Sequence, residues 1–325
     1  MSRITSIPIV DFSAYSLEKD KPDTENFQKL IDEIYEAFST IGFVYLKNFG
    51  VPEVTGEKIK RVFDKSREFF QLDSNVKQKY LRPYNSSNHG YIQSEREGLN
   101  PDRPYKDLKE GFNFTPSAPE VFWPDEEMPS FREALTDLFN ECIPLHNRVL
   151  EVMARGLKLE DPMIFVKAHK KMGTTENPTT LRTLFYPPTR DKRVKEGQVR
   201  CGEHSDYGGI TLLFQDSQGG LEVRNVQGDY IKAPPIDGTV VINIADFMQR
   251  WTADTLVSTN HRVMMPQTDD QKQCIRQSIA FFGHPDKGEM ITCIDGSNKY
   301  PPIESMEYLD VRFNATYGNT PQADS

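Results

Sequence analysis

Arg200-Cys201-Gly202-Glu203-His204-Ser205-Asp206-Tyr207-Gly208-Gly209, running on into Ile210 to Asp216, is the stretch that decides how this chain is read. It holds a His-x-Asp pair, two glycines and then an apolar run. If the segment is extended, side chains two apart leave the same face. One nitrogen of His204 and one oxygen of Asp206 then reach a single metal ion. A pair alone holds a transition metal poorly, and most His-x-Asp pairs are ordinary surface or loop residues. A third ligand is available in Thr259-Asn260-His261-Arg262-Val263. Two histidines and one carboxylate on one face suit non-haem Fe(II) and leave coordination positions open for chemistry.

Composition narrows the setting. The 325 residues are 37% hydrophobic and 27% charged, which fits a globular chain with a sizeable core. The net charge of -9, with no basic block, argues against nucleic acid and anionic membranes as partners. Cys142, Cys201, Cys274 and Cys293 form no CxxC pattern and read as reduced thiols. No signal peptide and no apolar run of membrane length is evident, so a cytoplasmic location is the expectation. The Asn-x-Ser/Thr matches at Asn85, Asn113 and Asn314 are then chance.

Along the chain, Ile7 to Phe12 reads as a short opening strand. Phe27, Leu30, Ile31, Ile34 and Phe38 keep helical spacing up to Gly42, and Phe43 to Leu46 forms a strand. Pro52 opens a second helix. From Leu72 to Asp125 periodicity weakens into polar loops, Tyr84 to Gly90 and Asn100 to Pro104, with a strand around Phe112 and Phe114. This region either covers a pocket or is a surface excursion. Pro129 to Arg155 is a long amphipathic helix, in which His146 reads as a packing residue. After Asn177 short apolar stretches alternate with glycine-bearing turns: 181–186, 210–214, 221–224, 239–244, Val257, 261–264 and 275–282. That spacing indicates an all-β sandwich or barrel. The tail after Tyr317 is polar.

A second constellation lies in Cys274 to Phe282. On a strand, Arg276 and Ser278 share a face. An arginine fork with a serine beside it fits a carboxylate, although a surface arginine on an edge strand is the competing reading. Tyr186, at the end of the 181–186 stretch, offers a further hydroxyl donor or is a core or rim tyrosine.

Taken in order, Arg182-x-x-x-Tyr186-Pro-Pro, His204-x-Asp206-x-Gly-Gly-x-Thr-Leu-Leu, Gly219-Gly220-Leu221-x-Val, Asn243-x-x-Asp246, Ser258-Thr259-x-His261-Arg262-Val263 and Arg276-x-Ser278 resemble the iron(II)/2-oxoglutarate-dependent dioxygenases, in the branch that includes isopenicillin N synthase. The likeness extends to Ile7–Phe12 and Gly42–Leu46. Plant members of that branch usually carry Asn where this chain has Leu184.

The resemblance implies a mainly β fold with α: a double-stranded β-helix (jelly roll) core with a helical N-terminal region. The expected divisions are an N-terminal dioxygenase region over 1–125, a bridging helix over 126–176, the core over 177–317 and a polar tail over 318–325. It implies His204, Asp206 and His261 as Fe(II) ligands. Arg276 and Ser278, assisted by Tyr186, would hold the far carboxylate of 2-oxoglutarate. It implies O2 as co-substrate, succinate and CO2 as products, and a small-molecule substrate that is hydroxylated or otherwise oxidised. The alternative is an Fe(II) oxidase of the isopenicillin N synthase type, in which the matching Arg and Ser bind the substrate's own carboxylate. Phe112, Phe114, Tyr91, Phe247 and Trp251 either line the substrate pocket or pack in the core. Oligomeric state is not legible.

Overall fold

Strands covered on both faces are apolar at both alternating sets of positions, and this explains why the segments after Asn177 look so continuously hydrophobic. In the computed structural model, which describes residues 4–50, 52–83, 88–100, 102–116, 123–190 and 194–317, the segments 180–186, 210–215, 239–244 and 276–282 form the middle of a large sheet. The N-terminal part runs β1 (Ile9–Asp11), a 3-10 turn (Phe12–Tyr15), α1 (Phe27–Thr40), β2 (Phe43–Lys47), α2 (Pro52–Phe70), α3 (Ser74–Gln78), β3 (Gly90–Ile92), β4 (Glu110–Phe114), α4 (Phe131–Gly156) and α5 (Ile164–Lys167). Then come β5 (Thr180–Tyr186), β6 (Cys201–His204), β7 (Ile210–Gln215), β8 (Leu221–Arg224), β9 (Tyr230–Lys232), β10 (Thr239–Ile244), α6 (Asp246–Trp251) and β11 (His261–Val263). The chain closes with α7 (Asp269–Gln273), β12 (Arg276–Phe282), β13 (Met290–Ile291), β14 (Ile303–Glu304) and α8 (Ser305–Tyr317).

The large sheet has the order β1-β2-β10-β7-β12-β5-β4-β3, and the smaller one β6-β11-β8-β9. Alternation sorts the large sheet's side chains into two cores. Leu181, Phe185, Leu212, Ile242, Ile279 and Phe281 point to the helices, where Phe281 meets Phe139 of α4 at 5.2 Å between ring centroids. Leu184, Tyr186 and Val241 point the other way and pack with Cys201, Leu221, Val223 and Val263 of the small sheet. Two sheets closing over this second core form the jelly roll. β1 and β2 extend the large sheet at one edge, and β3 and β4 extend it at the other.

Several boundaries shift for local reasons. The opening strand keeps only Ile9–Asp11, because Asp11 caps the following 3-10 turn by accepting from the Ser13 amide at 2.9 Å. Gly42 adopts φ +70°, and a Cβ there would lie 2.0 Å from the Val257 carbonyl, so no other residue fits. Val257 itself is in a loop, its amide donating to Phe38 at 3.0 Å. Helix α8 has no counterpart in the sequence reading, since its apolar and charged residues interleave without a clean stripe. Tyr84 to Ser87, Asn85 included, Pro101 and the tail from 318 lie outside the described residues. Asn113 is fully buried within β4, and all four cysteines are free. Among the described residues, no helix is long and apolar enough to cross a membrane.

Candidate active site

β6 ends at His204 and β11 begins at His261, and these two residues face each other across the strand pair. Their rings lie 4.3 Å apart. Asp206 joins them by a different route from the one its spacing suggested. The strand stops at His204, so Asp206 stands in the turn beyond it and not two positions along a strand. It is held there by its own carbonyl, which accepts from the Asp246 amide at 2.8 Å, and by Oδ2, which accepts from Asn243 Nδ2 at 2.8 Å. Oδ1 is left 3.8 Å from His204 Nε2 and 3.7 Å from His261 Nε2. The turn needs glycine next: a Cβ on Gly208 would sit 2.4 Å from the Gly283 carbonyl.

The donor set fits a metal ion. One ligand atom from each residue lies within 4.8 Å of the others. His204 Nδ1 lies 2.8 Å from the Gly202 carbonyl and His261 Nδ1 lies 3.1 Å from that of Thr259. Those bonds assign the proton to Nδ1 and leave both Nε2 lone pairs facing Asp206. Burial, reinforced by His204, pushes His261 down to about 4, so it is neutral and able to coordinate at neutral pH. Burial alone would raise the Asp206 carboxyl. The two histidines and hydrogen bonds from Asn243 and Thr211 outweigh that and keep it below its ordinary value.

The second constellation shares the inner core. β12 is a central strand between β7 and β5, so Arg276 is not the edge residue of the competing reading. It is 1% exposed. Its Nε donates to the Gly219 carbonyl at 2.5 Å, Nη2 to Gln215 Oε1 at 3.3 Å and Nη1 to Ser278 Oγ at 3.5 Å. No carboxylate pairs with it among the described residues. Tyr186 is its cross-strand partner, with the guanidinium carbon 4.6 Å from the ring centroid. Burial pushes the Tyr186 hydroxyl up against the pull of Arg276, so it stays a donor. A buried cation bonded only to neutral groups is costly unless an anion joins it. Arg200, quoted in the opening stretch but given no role, adds a second buried guanidinium beside Tyr186. Burial and then Arg276 push it down to about 10.

A cleft opens against His204 and Asp206 and is lined also by Asn88, Arg182, Tyr207, Phe282, His284 and Phe313. None of these was expected as a pocket residue. Phe112, Phe114, Tyr91, Phe247 and Trp251 pack instead in the core on the helix side. Arg182 and Phe282 were within reach of the sequence, because they continue the alternation of Tyr186 on β5 and of Arg276 and Ser278 on β12.

Comparison with known proteins bears on this arrangement. Residues 177–285 match the 2OG-Fe(II) oxygenase superfamily, and residues 7–134 match the N-terminal region described as non-haem dioxygenase in morphine synthesis. A 2-oxoglutarate-Fe(II) type oxidoreductase of Metarhizium rileyi is 30% identical over 310 residues, spanning 88% of this chain and 85% of that one. The chain belongs to the 2OG-Fe(II) oxygenase superfamily, in its isopenicillin N synthase-like branch. The chain is also similar to a proline hydroxylase of Petromyces alliaceus, 33% identical over 80% of this chain and 82% of that one. A full-length Neurospora crassa protein in complex with alpha-KG and thymine superposes with a TM-score of 0.81 at 33% identity, covering 95% of this chain and 96% of that one. As an oxygenase of this superfamily the protein uses Fe(II), 2-oxoglutarate and O2 to oxidise a small molecule, and the oxidase that omits 2-oxoglutarate is not favoured.

Proposed function

We propose that His204, Asp206 and His261 hold the Fe(II), that Arg276, Ser278 and Tyr186 hold the distal carboxylate of 2-oxoglutarate, and that the substrate is a flat heterocycle of the pyrimidine-base kind. The observation that carries the first two assignments is the meeting of the His204–Asp206–His261 cluster and an unpaired buried Arg276 inside one jelly roll. We also keep the division of the chain into an N-terminal region over 1–125, a bridging helix over 126–176 and a catalytic core over 177–317.

Fe(II) with 2-oxoglutarate and O2 supplies the oxidising power: the keto acid becomes succinate and CO2, one oxygen atom enters succinate and the other replaces a substrate C–H bond with C–OH. The chain's own residues do the rest. Arg276 neutralises one end of the keto acid and Ser278 and Tyr186 fix its direction, which orients the other end toward the metal ligands. Apolar walls, Leu184 among them, exclude water from the carboxylate.

The substrate proposal rests on the cleft. Tyr207 and Phe282 offer ring faces on which a base could stack, and Arg182 and Asn88 offer polar atoms for its edge. Both polar groups are held firmly. Arg182 donates to Asn113 at 2.6 Å and pairs with buried Glu97 at 3.1 Å, while Asn88 accepts from Asn113 at 3.0 Å and donates to Thr180 at 3.2 Å. The similar Neurospora protein is in complex with thymine in one structure and with 5-formyluracil in another. The test is incubation with Fe(II), 2-oxoglutarate, O2 and thymine. Succinate and a hydroxymethyl pyrimidine in equal amounts support the proposal. Succinate that rises with no pyrimidine but rises with a proline-containing substrate overturns the substrate class.

A further inference from the structure

One carboxylate ties together the two segments that carry the cluster. Asp246, at the start of α6, accepts from Ser205 Oγ through Oδ2 at 2.9 Å and from Ser258 Oγ through Oδ1 at 2.7 Å. Its amide donates to the Asp206 carbonyl at 2.8 Å. Ser205 lies between His204 and Asp206, and Ser258 lies on the loop leading into His261. Asp246 therefore sets how far the turn after β6 stands from the loop before β11.

The other partner of Asp246 comes from the far end of the chain. Arg312 of α8 reaches its Oδ2 through Nη1 at 2.6 Å, and its guanidinium carbon lies 4.4 Å from the centroid of the Tyr207 ring. Phe313 beside it meets Tyr207 edge-on at 6.1 Å and lines the cleft. The helix is seated rather than dangling: Leu309 is buried, and Tyr308 stacks on Phe247 at 4.9 Å. So a single arginine touches both a wall of the cleft and the carboxylate that spaces the two segments.

We infer that Arg312 and Asp246 are positioning residues for the metal centre, and that α8 belongs to the active site. Arg312 holds the Asp246 carboxylate in place, Asp246 holds Ser205 and Ser258, and those two loops hold the three ligand atoms at their spacing. Contacts outside a ligand set orient it, and losing one commonly weakens metal binding by about 10- to 100-fold. Because Arg312 also rests on Tyr207, whatever fills the cleft acts on the same linkage, and the two sites become reciprocally coupled. This rests on His204, Asp206 and His261 being the ligands.

The experiment is anaerobic Fe(II) titration of the full chain, without keto acid or substrate, by competition with a chromophoric chelator. Arg312→Met and Asp246→Asn are expected to weaken Fe(II) binding by about tenfold or more, and Arg312→Lys to recover most of the loss. Val311→Ala, an exposed position on the same helix, is expected to keep wild-type Fe(II) affinity. A cooperatively folded Arg312→Met protein that binds Fe(II) as wild type does overturns the inference and leaves α8 as packing. If Arg312→Met does not fold, Ser258→Ala removes one hydroxyl from the same linkage; weakened Fe(II) binding supports the inference and unchanged binding overturns it. Wild-type protein that binds no Fe(II) overturns the ligand assignment itself, and this inference with it.

Discussion

Replacing Arg276 by Met separates a ligand-binding arginine from a structural one. Arg276 is almost completely buried, and its bonds within the protein go to the Gly219 carbonyl, Gln215 and Ser278. None of these is charged, and Asp216, which feels its charge, makes no ion pair with it, so in the ligand-free protein the guanidinium is desolvated without a direct ionic partner. Removing it orphans one carbonyl, at about 1–3 kcal/mol, but also removes the penalty of burying a charge, several kcal/mol in the other direction. The ligand-free protein should therefore melt near the wild-type temperature. With 2-oxoglutarate bound the balance reverses, because deleting one member of a buried ion pair costs about 3–5 kcal/mol. At about 1.4 kcal/mol per factor of ten, that weakens binding by roughly 10²-fold to a few thousand-fold. Arg276→Lys keeps the charge but loses the fork, and should fall between. The assay is anaerobic titration of the Fe(II)-loaded protein with 2-oxoglutarate, by calorimetry, beside thermal melts of the ligand-free protein. Unchanged 2-oxoglutarate affinity in Arg276→Met refutes the reasoning, and so does a large loss of ligand-free stability with no change in affinity.

Three further outcomes are expected. Asn243→Leu removes the donor to Asp206 Oδ2 and should weaken Fe(II) binding by about 10- to 100-fold, measured by metal competition. Arg182→Met and Phe282→Ala should raise the KM for the substrate while leaving Fe(II) and 2-oxoglutarate affinities unchanged; equal losses in all three would place those residues elsewhere. Burial pushes His169 down to about 4 and His284 down to about 3. The unfolded chain takes up these protons near the ordinary histidine value and the folded chain does so only far below it, so stability is full above about pH 7 and falls as pH drops from about 6.5 toward 4. His169 alone contributes about 3 kcal/mol to that fall. Urea denaturation of metal-free protein at a series of pH values reads it, and a flat profile over that window would contradict the burial.

What was legible in the sequence follows the range of the forces involved. Short apolar runs between glycine-bearing turns are local, so β5, β7, β10 and β12 could be placed from their own residues, and strand alternation set Arg276 and Ser278 on one face. His204 and His261 were legible as types and positions, because the motifs around them are short. Asp206 reaches the same point for a reason the spacing does not contain. Its place depends on the Asp246 amide and on Asn243, both contributed by distant segments. The polar side of the cleft was hidden in the same way. Arg182 is set by Glu97 and Asn113, residues of a region whose periodicity is weak. Helix α8 left no periodic signal, because its residues meet Asp246, Phe247 and Tyr207 on several sides at once. The aromatics weighed between pocket and core pack in the core; the sequence shows that a ring will be buried but not on which side of the sheet.

Fe(II) stoichiometry under anaerobic conditions, with and without 2-oxoglutarate, on the wild type and on His204→Ala, Asp206→Ala and His261→Ala, probes the centre most directly. The wild type is expected to bind one Fe(II) per chain and to develop a visible metal-to-ligand absorption band when the keto acid is added, and each substitution should abolish both. Full Fe(II) occupancy and an undiminished band in the His261→Ala protein would contradict it.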